Sequence, residues 1–314
     1  MGKFPDGAAA LQRRFGLAAL PNTVKGVLLV AAAGASAAAM HNIIRYMTVE
    51  QGIHAFEVAF FRNFMGLIIF VPVIARHGFG MLRTQKIPWH LGRAAINAGA
   101  MLCWFSALAL IPVGDATAVS LIGPVFVALL AMLVLGEKVG ARRWTGVLIA
   151  VGGACVVVRP GFVDVSLGAW LVLTSMVLVS GSKIIAKWLS QFDTPTTIVA
   201  YVTLLMTPIT LVPAIFVWQW PTLAQLPWLI AIGLLGTTGH LLFTNAYRLA
   251  DVSLVDPASF MRMVWAALIG YFVFAEFPDA WTWAGAALIV VGTTWMATRG
   301  RDRDTKRMPG APVD

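Results

Sequence analysis

The chain has 314 residues, of which 59% are hydrophobic and only 12% charged, against roughly 45–50% and 25% in soluble domains. Water is therefore not its main solvent. The net charge of +9 does not point to nucleic acid, because Lys and Arg sit in short clusters between apolar runs rather than along one polar surface.

In chain order, residues 1–22 carry Arg13 and Arg14 ahead of an apolar stretch too short for a signal-peptide core. They predict a cytoplasmic arm, either a free terminus or a short interfacial helix. Ten apolar runs follow at 24–47, 54–76, 89–111, 115–136, 143–159, 167–189, 196–218, 226–249, 252–274 and 281–298, each near the ~18–20 residues that cross about 30 Å of hydrocarbon. Val113-Gly114-Asp115, Arg159-Pro160-Gly161, Asp193-Thr194-Pro195 and Trp220-Pro221-Thr222 read as turns between them. No connection is long enough to house a soluble catalytic domain.

Of the 23 Lys and Arg residues, all but Arg45, Arg62, Arg159 and Arg262 fall on one face of this ten-span arrangement. That face is predicted to be cytoplasmic, and both termini with it. Trp89, Trp144, Trp218, Trp220, Trp228 and Trp281 lie near span ends, where interfacial indoles belong.

A shift of 139 residues aligns Trp104–Gly161 with Phe243–Gly300 without a gap. It matches Ser120 with Ser259, Glu137 with Glu276, Trp144 with Trp283, Gly146 with Gly285 and Gly153 with Gly292. Matched Glu, Trp and Gly are not an accident of apolar composition. The chain divides into an arm (1–22), a first unit (23–161), a second unit (162–300) and a basic tail (301–314). Five spans is an odd number, so the second unit enters the membrane from the opposite side and the repeats are inverted. The charges after Glu137 (Lys138, Arg142, Arg143) and after Glu276 (Pro278, Asp279) agree.

The run Ala107-Leu108-Ala109-Leu110-Ile111-Pro112, with Asp115-Ala116-Thr117-Ala118, Gly123-Pro124-Val125-Phe126, Gly136-Glu137-Lys138 and Arg159-Pro160-Gly161, is one signature. Trp265-Ala266-Ala267-Leu268-Ile269-Gly270-Tyr271 and Glu276-Phe277-Pro278-Asp279-Ala280-Trp281-Thr282 form its counterpart. Across nearly its whole length the sequence resembles the EamA branch of the drug/metabolite transporter superfamily. The resemblance implies an all-α inner-membrane protein of ten helices, a central cavity between the halves and carriage of an amino acid, nucleobase-containing compound or vitamin. One departure is visible: Pro124 aligns with Met263, and the second half has Pro257 six residues earlier. The two proline hinges are therefore predicted to bend their halves differently.

Arg262 is expected about 15 Å deep in its span, where a cation costs roughly 2.5–3.5 kcal/mol. It either grips a substrate anion in a planar fork or locks helices through a buried ion pair. Arg62 lies about 12 Å inside the second span, five residues after Glu57, a spacing at which the two side chains do not face each other. Gating or substrate contact competes there with an inter-helix network. Asn97, Trp104, His240, Asn245 and Tyr247 are the remaining candidates for substrate binding. His41 and Glu57, with His240, are candidates for proton coupling, against the simpler role of hydrogen-bonding neighbouring helices. Gly233, Gly236 and Gly239 form a small-residue track suited to close helix packing or to sliding.

Ser180-Gly181-Ser182-Lys183 matches a short nucleophile pattern without its companion motifs. No metal-ligand spacing, cofactor loop or Walker loop is present, and Cys103 and Cys155 both lie inside apolar runs. The expected activity is therefore secondary transport of a small polar or aromatic metabolite, without cofactor or metal. Its expected partners are that substrate, the lipid bilayer and, if coupling is proton-driven, protons. A membrane-embedded enzyme or lipid-handling protein is the competing class.

Overall fold

The computed structural model describes residues 21–77, 82–135, 141–159, 165–249 and 256–297. The arm, the tail and Glu137 lie outside the described residues. Among those described, regular structure is helical throughout. The helices are α1 (Asn22–Val49), α2 (Ala55–His77), α3 (Ile87–Leu110), α4 (Val113–Ser120), α5 (Gly123–Leu135) and α6 (Ala141–Val158) in the first half. In the second half they are α7 (Leu167–Leu189), α8 (Pro195–Ile215), α9 (Leu226–Leu249), α10 (Met261–Phe274) and α11 (Ala280–Ala297). A 3-10 turn, Asp256–Phe260, leads into α10.

Six helical stretches, Val24–Val49, Ile87–Leu110, Val113–Val134, Leu167–Leu189, Thr197–Ile215 and Leu226–Phe243, are long and apolar enough to cross a membrane, and Trp144–Val158 and Ala258–Phe274 are shorter apolar helices. Large apolar side chains such as Leu133, Leu148, Phe216 and Phe272 point outward, as a lipid-facing surface requires. Helix starts are chemically marked. The Ser166 and Thr194 hydroxyls accept the Ala169 and Thr197 amides at 3.2 Å, capping α7 and α8.

Two local expectations need correction. The run 115–136 is not one helix: the chain turns at Leu121–Ile122, and Pro124, in the first turn of α5, cannot donate back to Ser120. Val113-Gly114-Asp115 is not a turn but the start of α4. Pro112, with φ −53° and ψ 142°, turns the chain just before it.

The halves do not pack as separate bodies. α1 packs on α9 as α7 packs on α3, and α2 packs on α9 as α8 packs on α3; the corresponding pairs α2–α8 and α6–α11 pack on each other. Hydrogen bonds repeat the pattern. Ser36 on α1 donates to the Leu235 carbonyl of α9 at 2.8 Å, and Ser175, 139 positions later, donates to the Ala100 carbonyl of α3 at 2.8 Å.

Among the glycines, the closest approach of backbone to backbone is between α6 and α11. A Cβ on Gly153 would stand 2.7 Å from the Gly285 carbonyl, one on Gly285 2.6 Å from the Gly153 carbonyl, and one on Gly292 2.6 Å from the Gly146 carbonyl. The 139-residue shift turns the Gly153–Gly285 contact into the Gly292–Gly146 contact. The interface is thus self-complementary, as across a two-fold axis, and the early turns of one helix meet the late turns of the other. The two corresponding helices run antiparallel.

Candidate functional site

A cavity of about 540 Å³ lies at the centre, walled by residues of every described helix except α6 and α11. Its shape follows the repeat. Trp104 and Phe243, Ser120 and Ser259, Leu121 and Phe260, and Met101 and His240 are pairs related by the 139-residue shift, and all eight residues line it. Its charge does not follow the repeat. The counterpart of Arg262 is Gly123 and that of His41 is Ser180.

Arg262 is the second residue of α10 and its backbone rests against Gly34 of α1, where a Cβ would meet the Arg262 nitrogen at 3.3 Å. Its Nη2 donates to the Ser120 hydroxyl at 3.0 Å, while its buried Nε has no hydrogen-bond partner. Ser120 in turn donates to the Thr117 carbonyl at 2.7 Å. Arg62 of α2 donates to Asn63 Oδ1 at 3.1 Å, and its Nη2 lies 3.5 Å from His240 Nε2. Among the described residues neither arginine meets a carboxylate. The two guanidinium groups, from opposite halves, line the same cavity as the His41 imidazole.

Trp104 Nε1 donates to His41 Nε2 at 3.2 Å, with the rings edge to face at 5.2 Å between centroids. That bond fixes the tautomer: Nε2 accepts, so the ring proton is on Nδ1, which is buried and unpartnered. Asn97 Nδ2 lies 3.6 Å from Met206 Sδ on the same wall. Pro124 lines the cavity, and Pro257 falls in the 3-10 turn that precedes Arg262. Lys183 lines the wall as well, whereas the Ser180 hydroxyl is committed to the Met176 carbonyl at 2.7 Å.

Two candidates, Asn245 and Glu57, fall elsewhere. Asn245 is exposed and is not on the cavity wall, and the Tyr247 side chain lies outside the described residues. Glu57, fully buried, accepts the Gln219 amide at 3.3 Å in the α8–α9 connection, away from the cavity. Glu57 and Arg62 do not pair. The glycine track of α9 is a packing surface: Gly233 abuts Met65, Gly236 abuts Met40 and Arg62, and Gly239 abuts Ala33 and Ser36.

One end of the bundle carries a polar seal that spacing alone does not reveal. Arg45 at the end of α1 meets Glu276 at 2.5 Å and donates to the Leu108 and Ile111 carbonyls at 2.9 and 2.8 Å. Glu276 is brought there by Ala275, a left-handed residue (φ 54°) that ends α10. Arg159 pairs with Asp279, and Asp115 accepts the Thr282 hydroxyl at 3.1 Å. Burial raises the Asp279 carboxyl, but hydrogen bonds from Thr282 and Arg159 outweigh it and hold that group below its ordinary value. At the opposite end, buried His90 meets Asp193 at 2.9 Å, with Thr84 on the same carboxylate oxygen at 2.8 Å.

Known proteins place this architecture. The chain is 30% identical over 286 residues to a riboflavin transporter of Vibrio cholerae, covering 88% of this chain and 96% of that one. An S-adenosylmethionine uptake transporter of Rickettsia bellii is 27% identical, with coverage of 78% and 84%. A pseudopaline exporter of Pseudomonas aeruginosa is 30% identical, with coverage of 85% and 93%. A solved crystal structure shares the fold with a TM-score of 0.60 at 18% identity, covering 90% of this chain and 98% of that one. The relatives are transporters of small metabolites, and with its apolar helices the chain is a multi-pass inner-membrane protein. The model of the EamA-like transporter family matches twice, over residues 24–159 and 166–298, and the chain belongs to that family.

Proposed function

We propose that the chain is a secondary carrier that moves a small polar or aromatic metabolite by alternating access. Its ten spans, with α4–α5 forming the fourth and the 3-10 turn with α10 the ninth, are two inverted five-span repeats, 23–161 and 162–300. Both termini are cytoplasmic, with 1–22 as an arm and 301–314 as a tail. The observation that carries this reading is the central cavity built by corresponding positions of both halves, Trp104 with Phe243 and Ser120 with Ser259. Such a site serves two states related by the two-fold, open to either side, in turn.

The polar seal at Arg45, Glu276, Arg159 and Asp279 closes the outer end, and the cavity runs from Trp104 and His41 toward the cytoplasmic ends of α7 and α9 at Lys183 and Phe243. Arg262, Trp104, Asn97 and His240 contact substrate. His41, His240 and Glu57 are the titratable groups available for proton coupling, the two histidines on the cavity wall and Glu57 at the outer mouth.

The test is flux in proteoliposomes. Uptake of radiolabelled metabolite that saturates and is accelerated by preloaded substrate is expected, and non-saturating flux would instead describe a channel. An imposed pH gradient separates the coupling modes. If it drives uptake in wild type but not in His41→Gln, protons are coupled; indifference to the gradient leaves exchange.

A further inference from the structure

Four arginines inside the described helices, Arg45, Arg93, Arg62 and Arg262, are of two kinds. Arg45 has a carboxylate and two carbonyls on its nitrogens, and Arg93 donates to the Ser182 and Ile198 carbonyls at 3.3 and 3.1 Å. Those are anchored side chains that tie elements together. Arg62 and Arg262 are different. Their partners are a side-chain amide, an imidazole nitrogen and a hydroxyl, which carry no negative charge, and Arg262 Nε has no partner at all.

The lining contains Arg62, Lys183 and Arg262, and no Asp or Glu among the described residues. A cation inside a membrane protein needs a counter-charge or water. For Arg62 and Arg262 the described walls supply no counter-charge, so that charge is left for the occupant. The apolar part of the wall has its own demand: Trp104, oriented by His41, presents an aromatic surface suited to a flat ring. About 540 Å³ falls within the ~300–1,000 Å³ of small-molecule sites.

We propose that the occupant is an organic anion, a planar ring bearing a carboxylate or phosphate, with the ring against Trp104 and the acid on Arg62 and Arg262. The two guanidinium groups come from opposite halves, so one anion bridges the repeats. A neutral analogue would leave both charges unmatched and bind more weakly. Because Arg262 faces only Gly123 across the repeat symmetry, the substrate enters in one orientation. This inference rests on the carrier reading for its cellular meaning, but it is tested by binding alone.

Purified protein in detergent is titrated, by calorimetry, with pairs of ligands that share a ring and differ in the acid. The probes are riboflavin and riboflavin 5′-phosphate, adenosine and adenosine 5′-monophosphate, and tryptophol and indole-3-acetate. The expected result is that the anionic member of at least one pair binds about tenfold or more tightly than its neutral partner. That preference should fall about tenfold in Arg62→Gln and in Arg262→Gln. Should a Gln variant fail to elute as a monodisperse species, Arg→Lys at the same position replaces it; charge without the fork should lower the preference without abolishing it.

Equal or better binding of the neutral member in every pair, no binding by any member, or a preference that survives substitution of both arginines overturns the proposal. Counterflow measured on the same preparation keeps the two readings apart. Arginine-dependent binding without counterflow defeats the carrier and leaves the anion site standing. Counterflow of a neutral or cationic metabolite that no anion inhibits does the reverse.

Discussion

Arg45 and Glu276, 231 residues apart in sequence, meet at 2.5 Å and join the end of α1 to the end of α10. Two carbonyls of the α3–α4 corner hold the same guanidinium, so one side chain fastens three parts of this end of the bundle.

If this pair keeps the outer end shut, Glu276→Gln should favour the outward-open state. A cysteine at Ala37, on the cavity wall, in a background with Cys103 and Cys155 replaced by Ser, then reacts several-fold faster with an impermeant maleimide added outside. Unchanged labelling would mean that the pair braces the fold without controlling access.

Topology has its own test. In the same cysteine-free background, a cysteine near Arg303 should label only from the cytoplasm and one at exposed Gln219 only from outside. Labelling of both from one side is incompatible with ten spans.

The α6–α11 contact predicts a contrast between adjacent glycines. A Cβ on Gly153 or Gly285 meets backbone below 3.0 Å, whereas one on Gly152 meets nothing within 4 Å. Gly153→Ala and Gly285→Ala should each lower stability by about 1–3 kcal/mol through overpacking. Gly152→Ala should be neutral or stabilising by up to about 1 kcal/mol, from helix propensity. Thermal unfolding of the detergent-solubilised variants measures the difference.

Asp279 precedes α11, and its Oδ1 accepts the Thr282 amide at 2.8 Å, as an N-cap does. Asp279→Ala should cost about 0.5–2 kcal/mol at neutral pH. The sign with pH follows from the lowered folded-state value of this carboxyl. Its stabilisation is fully present above the ordinary carboxylate range, near 3.9, and is lost as pH falls through the lowered value. Wild type and Asp279→Ala should therefore differ by a constant amount from pH 5 to 8 and converge only in stronger acid.

What the sequence makes legible is set by range. Spans are local, because twenty apolar residues announce a helix wherever they pack, and the gapless match of Gly146 with Gly285 and Gly153 with Gly292 announced the repeat. The break at Leu121–Ile122 was half visible through Pro124, which marks a lost donor but not the residue at which the chain turns. Arg62 and Arg262 stood out because charge is rare at such depth. Their meeting in one cavity with His41 did not, nor did Arg45 with Glu276, since a single sequence carries no trace of which distant helix a side chain meets. Asn97 and Asn245 are both polar residues inside apolar runs, and only the structure puts Asn97 on the cavity wall and leaves Asn245 exposed.

The exchange of neighbours between halves has a consequence for how the protein is made. α1 rests on α9, α3 on α7 and α6 on α11, so the first five spans leave the ribosome without the surfaces they will pack against. They must wait in the bilayer as loosely associated helices until the second half is translated. α11, synthesised more than a hundred residues after α6, supplies the glycine face that α6 requires, so a lesion in α11 would be felt in the first half of the fold.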